Sequence, residues 1–162
     1  MQKSKVSGYT LIEVLVGLTI IGMLFGFGFA SFRDFSRRQA VSGIAKVIQG
    51  DLRLAQQQAL SGQKPLDAKC NPPNSLGGYI FTVNSSSQYS VAANCTGGSV
   101  VVKTVDLPSG MTLSTPAPNP IEFKVLGHGT NLVSGAESTI TVSQVGISNT
   151  FVITITSSGE IK

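Results

Sequence analysis

The sequence has little of the chemistry that catalytic and metal sites need. Its 162 residues include one histidine and two cysteines, which do not supply the four ligands of a structural zinc ion. His128 lies in the turn-like stretch Gly127-His128-Gly129, and no second histidine completes a metal cluster or a proton relay. The glycine-rich turns lack the spacing of a phosphate-binding loop. We therefore predict no enzyme, no metal and no cofactor, and interpret His128 as a solvated loop residue.

Charged residues are also scarce. They make up 12% of the chain, the net charge is +4, and no long run carries one sign. A net charge this small does not by itself indicate a nucleic-acid-binding protein. The length of 162 residues and a hydrophobic content of 41% fit one globular domain of ordinary size beside an apolar segment.

Charge is scarcest between Tyr9 and Phe32, where Glu13 is the only charged residue. At about 1.5 Å per residue this segment reaches roughly 36 Å, enough to cross the hydrocarbon core of a membrane. We expect a transmembrane helix over residues 9–32, with a short inside leader that carries Lys3 and Lys5 and a larger exported part. A charge at that depth costs about 3 kcal/mol or more, so Glu13 is predicted to be functional.

The leader ends in Gly8 and is followed by Tyr9-Thr10-Leu11-Ile12-Glu13 and the apolar run. This order resembles the N-terminal signature of type IV pilins and type II secretion pseudopilins. The resemblance implies that a prepilin peptidase removes residues 1–8, cutting after Gly8, and that Tyr9, where Phe is more usual, becomes the methylated N terminus. It further implies storage in the inner membrane with the head exported. Other pilins or pseudopilins and an assembly platform would then incorporate the chain into a periplasmic or surface filament.

Two roles are open for Glu13. In a growing filament, its carboxylate would be neutralised by the new α-amino group of a neighbouring subunit, and the cost of an unpaired charge would set the register. Alternatively, Glu13 and Thr10 form a capping box at the start of the helix, where the helix dipole favours a carboxylate. Both roles are compatible. The assembly role is favoured because a cap does not need to lie in lipid.

Two other interpretations of the N terminus remain open. The apolar run resembles a secretory signal with a small-residue site at Gly28-Phe29-Ala30, which would release a domain beginning at Ser31. Glu13 and a run longer than the usual signal core, about 7 to 15 residues, argue against it. In the second interpretation, the segment is a plain membrane anchor that pairs with another helix through Gly22 and Gly26. The GxxxG spacing of these two glycines is by itself weak support for it.

A helical pattern continues over residues 33–61. Apolar residues recur there at spacings of three and four, as on a helix with one buried face. This stripe consists of Val41, Ile44, Ile48, Leu52, Ala55 and Ala59. Polar residues, Asp51 among them, fall mainly elsewhere. Ser61-Gly62 followed by Pro65 predicts the end of a helix that starts at Tyr9.

Residues 62–162 form the predicted head, which is rich in β-branched and aromatic residues between Gly, Pro, Asn and Ser. The predicted strands are 79–83, 89–93, 100–105, 111–114, 121–126, 139–145 and 151–156. We therefore expect an antiparallel sheet packed on the helix. Cys70 and Cys95 both lie in this exported part, and an oxidising compartment would join them in a disulfide. Two free thiols would require a reducing compartment.

Three stretches of the predicted head resemble one subgroup of this family. They are Leu107-Pro108-Ser109-Gly110-Met111-Thr112-Leu113, Ile121-Glu122-Phe123 with Gly127 and Gly129 downstream, and the final Ser158-Gly159-Glu160-Ile161-Lys162. They are similar to the GspH/FimT group of minor pilins and pseudopilins. The resemblance implies an α+β fold, in which a long N-terminal helix with a membrane half and an amphipathic half packs on an antiparallel β-sandwich head.

Some FimT-like minor pilins bind DNA for uptake through a basic motif that follows a glycine, so the resemblance also offers DNA as a partner. Here Glu160 follows Gly159, which departs from that motif. The candidate phosphate contacts are Lys103, Lys124 and Lys162. We prefer to interpret each of them as a solvated surface lysine, and a structural subunit remains the leading prediction.

Overall fold

The computed structural model describes residues 8–146 and 148–162, and the side chains of residues 27–31, 33 and 34 are not described. The predicted leader therefore lies outside the described residues except for Gly8. The chain divides into two units, Met1–Arg38 and Gln39–Lys162, and each is described by itself.

The first element is a helix, α1, over Leu11–Ser61. In the second unit, one face of this helix is fully buried, as the sequence pattern predicts. The residues with 0% exposure are Val41, Ala45, Ile48, Leu52, Ala55 and Ala59. Ile44 is only partly buried, and Ala45 takes its place at the centre of the stripe.

The helix ends where Ser61-Gly62 predicts. Gly62 adopts a left-handed conformation with φ of 64°, which a residue without a Cβ reaches at no steric cost. The Gly62 amide donates to the Ala59 carbonyl and the Gln63 amide to the Gln58 carbonyl, both at 3.1 Å. This pair of hydrogen bonds is a Schellman motif, which satisfies carbonyls that a helix end otherwise leaves unpaired.

Among the described residues, seven strands follow the helix, and each lies at one of the seven predicted segments. They are β1 Leu76–Ser85, β2 Gln88–Cys95, β3 Gly98–Asp106, β4 Met111–Leu113, β5 Ile121–Lys124, β6 Glu137–Gln144 and β7 Thr150–Thr156. They form a four-stranded sheet in the order β3-β2-β1-β5 and a three-stranded sheet in the order β4-β6-β7. All pairs are antiparallel.

The fifth strand is shorter than predicted. It ends at Lys124, and Val125–Gly127 forms a short 3-10 turn instead of more strand. Leu126 adopts φ of 56° there, a left-handed conformation that is uncommon for a residue other than glycine. The apolar pair Val125-Leu126 suggested strand by composition, but the backbone turns away before it.

One core joins the helix to both sheets. Tyr79, Phe81 and Val83 on β1 are buried and alternate with less buried residues, as on a strand with one covered face. Ile153 and Ile155 do the same on β7, and all of them share the cluster of the helix stripe. The predicted α+β fold, a long helix packed on antiparallel sheets, is confirmed.

Cys70 and Cys95 form a disulfide with a sequence separation of 25, in agreement with the expected pairing. Cys70 lies in the connection between α1 and β1, and Cys95 is the last residue of β2. Their exposed fractions are 0% and 5%. The bond therefore fastens the long connection after the helix to the end of a central strand.

Candidate functional site

The start of the helix is closed by a reciprocal pair of hydrogen bonds. The Glu13 amide donates to Thr10 Oγ1 at 3.3 Å, and the Thr10 amide donates to Glu13 Oε2 at 3.4 Å. This arrangement is the capping box that the sequence offered as one role for Glu13. Both residues are exposed, so the carboxylate remains accessible to a group from outside the chain. The assembly role of Glu13 and the cleavage between Gly8 and Tyr9 stay predictions.

The helix that follows this cap carries an unusual amount of exposed apolar surface. Leu11, Leu18 and Phe25 are 83%, 65% and 76% exposed. Every large apolar side chain from Tyr9 to Phe25 is at least 50% exposed. Because soluble monomers rarely present a contiguous apolar patch of this extent, such a surface marks contact with lipid or with other proteins.

Within the described residues, no helix combines the length and the apolar content that crossing a membrane requires. The transmembrane segment expected over residues 9–32 is therefore not confirmed.

The three candidate DNA-contacting lysines do not form one basic patch. Lys103 on β3 and Lys124 on β5 lie at opposite edges of the four-stranded sheet. Lys103 is bound to Asp51 Oδ1 at 2.7 Å, and Lys162 lies 3.3 Å from a carboxylate oxygen of Glu160. Lys124 forms no ion pair with any residue that the structure describes. Lys103 remains 44% exposed, and its ammonium is ion-paired with Asp51. The interpretation of the three residues as surface lysines stays a prediction.

Asp51 forms a buried polar cluster that sequence reasoning missed. It is 7% exposed, and both of its carboxylate oxygens bind the Lys103 ammonium, at 2.7 and 2.8 Å. The Tyr89 hydroxyl donates to Asp51 Oδ2 at 2.7 Å. Burial, followed by the hydrogen bond to the Asp51 carboxylate, raises the pKa of Tyr89 well above its usual value. The cluster ties the helix to β2 and to the edge strand β3.

A signal for this cluster exists in the sequence. Asp51 stands three residues after Ile48 and four before Ala55, which places it beside the buried stripe of the helix. A carboxylate in that position needs a partner. The partners themselves lie 38 and 52 residues further along the chain, and no local pattern identifies them.

The described residues contain no group of three or more His, Cys, Asp and Glu side chains placed to hold a metal ion. The absence of metal, cofactor and enzymatic activity stays a prediction.

Residues 3–29 match the family described as the prokaryotic N-terminal methylation motif. The chain carries a prepilin-type N terminus. This motif supports a structural subunit of the type IV pilin and pseudopilin kind, and it implies processing by a prepilin peptidase and assembly with other pilins. The match covers most of the predicted leader and of the apolar segment. It does not reach residues 62–162, so it does not address the GspH/FimT subgroup. No curated protein and no solved structure matches the chain significantly.

Proposed function

We propose that this chain is a minor structural subunit of a type IV pilus or of a type II secretion pseudopilus. The observation that carries the proposal is the methylation motif over residues 3–29, within which the large apolar side chains from Tyr9 to Phe25 are exposed. In this proposal, residues 1–8 are the leader and residues 9–32 are first a membrane anchor and then part of a filament core. Residues 33–61 and 62–162 are the amphipathic half of the helix and the exported head.

Maturation supplies the chemical partner for Glu13. Cleavage after Gly8 by the prepilin peptidase creates an α-amino group on Tyr9, which stays basic when it is N-methylated. The Glu13 carboxylate is exposed beyond its cap and belongs to a segment in which the other residues from Tyr9 to Phe32 are uncharged. A carboxylate in such a setting is costly unless a cation neutralises it. The α-amino group of a neighbouring subunit, in the correct register, provides that cation.

The exposed apolar surface supports the same sequence of events. Before assembly, lipid of the inner membrane covers the side chains of this segment. After assembly, the helices of neighbouring subunits cover them. The similarity of the head sequence to the GspH/FimT group supports a minor subunit, because that group contains minor pilins and pseudopilins.

The variant Glu13→Gln separates assembly from capping. Gln also occupies this position of a capping box, so the cap is retained while the charge is lost. We expect incorporation into filaments to fall about tenfold or more, because removing one partner of a buried ion pair is strongly destabilising. The readout is the amount of the chain in sheared filaments relative to the membrane fraction.

The control for this experiment is Glu137→Gln, which removes an exposed carboxylate of the head and should leave incorporation unchanged. Equal membrane levels of both variants would show that neither is degraded. Normal incorporation of Glu13→Gln would contradict the assembly role and leave helix capping as the role of Glu13.

DNA capture gains no support from the described lysines. Two of the three candidates are ion-paired within the chain, and Lys103 and Lys124 lie at opposite edges of one sheet. Phosphate contacts depend on basic side chains that are free to replace counterions. We therefore do not advance DNA binding as a second function.

A further inference from the structure

A surface depression of about 490 Å³ lies between the loop after β5 and the turn after β7. Its polar side chains include those of Lys124, His128, Ser134, Ser157 and Ser158. Among the described residues that line it, none is acidic. An adjoining cavity of about 20 Å³ shares Lys124 and Ser158 with it and has room for about one water molecule.

The walls of the depression are held in place by backbone hydrogen bonds. The Thr130 amide donates to the Ser157 carbonyl at 3.0 Å, and the Ser157 amide donates to the Ala136 carbonyl at 3.1 Å. Thr130 is 4% exposed. A Cβ on Gly129 would lie 2.6 Å from the Ser157 carbonyl oxygen, so only glycine permits this approach. The walls are formed before any ligand arrives, which lowers the cost of binding.

The lining of the depression is rich in hydrogen-bond donors. Lys124 forms no ion pair within the part of the chain that the structure describes, so its ammonium is available to a ligand. His128 and Ser134 are exposed at the same depression. Ammonium and hydroxyl groups donate to the oxygens of an anion, and hydrogen bonds to charged groups are the stronger kind.

We propose that this depression binds a small oxyanion, a phosphate or carboxylate group, through Lys124, His128 and the hydroxyls of Ser134 and Ser158. The bound group is either a free anion or the charged end of a larger molecule. The absence of a carboxylate among the described lining residues favours an anion over a cation. The site belongs to the head alone and does not depend on filament assembly.

The test is a titration of the isotopically labelled full chain in a non-ionic detergent. Inorganic phosphate and acetate are added in separate experiments at constant ionic strength, and amide NMR signals are followed. We expect saturable shifts confined to residues 127–130, 134 and 157–159. The anion that binds more tightly identifies the group that the site prefers.

Two lysine variants make the test specific. Lys124→Gln should weaken binding about tenfold, because it removes a charge-assisted hydrogen bond. Lys46→Gln removes an exposed lysine on the helix and should leave binding unchanged. If Lys124→Gln disturbs the fold, Ser134→Ala should still weaken binding. Shifts that rise linearly without saturation, or equal weakening by both lysine variants, would overturn the proposal.

Discussion

At the scale of single residues, two carboxylates of the helix have opposite surroundings. Asp51 is buried, and its charge is satisfied within the chain by Lys103 and Tyr89. Glu13 is exposed and accepts hydrogen bonds only from Thr10 within the described residues. The chain therefore satisfies the buried charge itself and leaves the exposed one accessible, as expected for a residue whose partner belongs to another subunit.

The Tyr89 hydroxyl makes the stability of the head depend on pH in the alkaline range. Its pKa is raised above the ordinary value of 10.0 by burial and by Asp51. Above pH 10.0 the unfolded chain loses the tyrosine proton while the folded chain keeps it, so stability falls as pH rises. We expect Tyr89→Phe to cost about 1.5 to 3 kcal/mol of unfolding free energy near neutral pH. The difference from the parent should shrink above pH 10.0.

Urea unfolding of the full chain in detergent, at neutral and alkaline pH, measures both effects. Burial also raises the pKa of Tyr79. Because Tyr79 is present in both the parent and the Tyr89→Phe variant, its contribution cancels in their stability difference. Tyr9→Phe is the matched control, since Tyr9 is 85% exposed and its hydroxyl should contribute less than about 0.5 kcal/mol. A stability difference for Tyr89→Phe that stays constant with pH would contradict this account of the cluster.

At the scale of elements, periodicity in the sequence predicts most of the fold. The helix stripe, the helix end at Gly62 and the seven strands all follow from local patterns of apolar, β-branched and turn residues. Leu126 is the exception in the strands, because its left-handed turn depends on the loop that follows. Local composition carries no information about such a turn.

The candidate sites also fall into two kinds, those that local sequence predicts and those that it does not. The methylation motif and the capping box are contiguous in sequence, and both could be predicted from Gly8 to Glu13. The Asp51 cluster and the oxyanion depression join segments that are far apart along the chain. The sheet order brings Lys103 to Asp51, and the loop contacts bring Ser157 to Thr130. Both arrangements depend on the topology of the fold and not on local sequence.

The disulfide is the element-scale link with the largest expected effect on stability. It joins residues with a sequence separation of 25, and closing a loop of that length stabilises the folded state by roughly 3 to 4 kcal/mol in the chain-entropy model. We expect the double variant Cys70→Ser/Cys95→Ser to lose that amount in urea unfolding. A reducing agent should destabilise the parent similarly and leave the double variant unchanged. An equally stable double variant would show that the core alone holds this connection.

At the scale of the whole molecule, the chain combines a head with a satisfied core and an N-terminal helix with exposed apolar side chains. The unit Gln39–Lys162 buries apolar residues of the helix and of both sheets in one cluster, whereas the large apolar side chains from Tyr9 to Phe25 are exposed. An exposed apolar surface of this kind marks contact with lipid or with other proteins. The methylation motif over residues 3–29 connects this surface to processing and assembly.

The most direct test of the central claim is mass spectrometry of filaments sheared from cells, compared with the membrane fraction. Both the N-terminal peptide and the total amount of the chain are quantified. We predict a peptide that begins at methylated Tyr9, at a low ratio to the dominant pilin if it occurs in surface filaments, or confined to the envelope if the filament is a pseudopilus. A chain in the medium that begins at Ser31, or one that retains residues 1–8, would contradict the account.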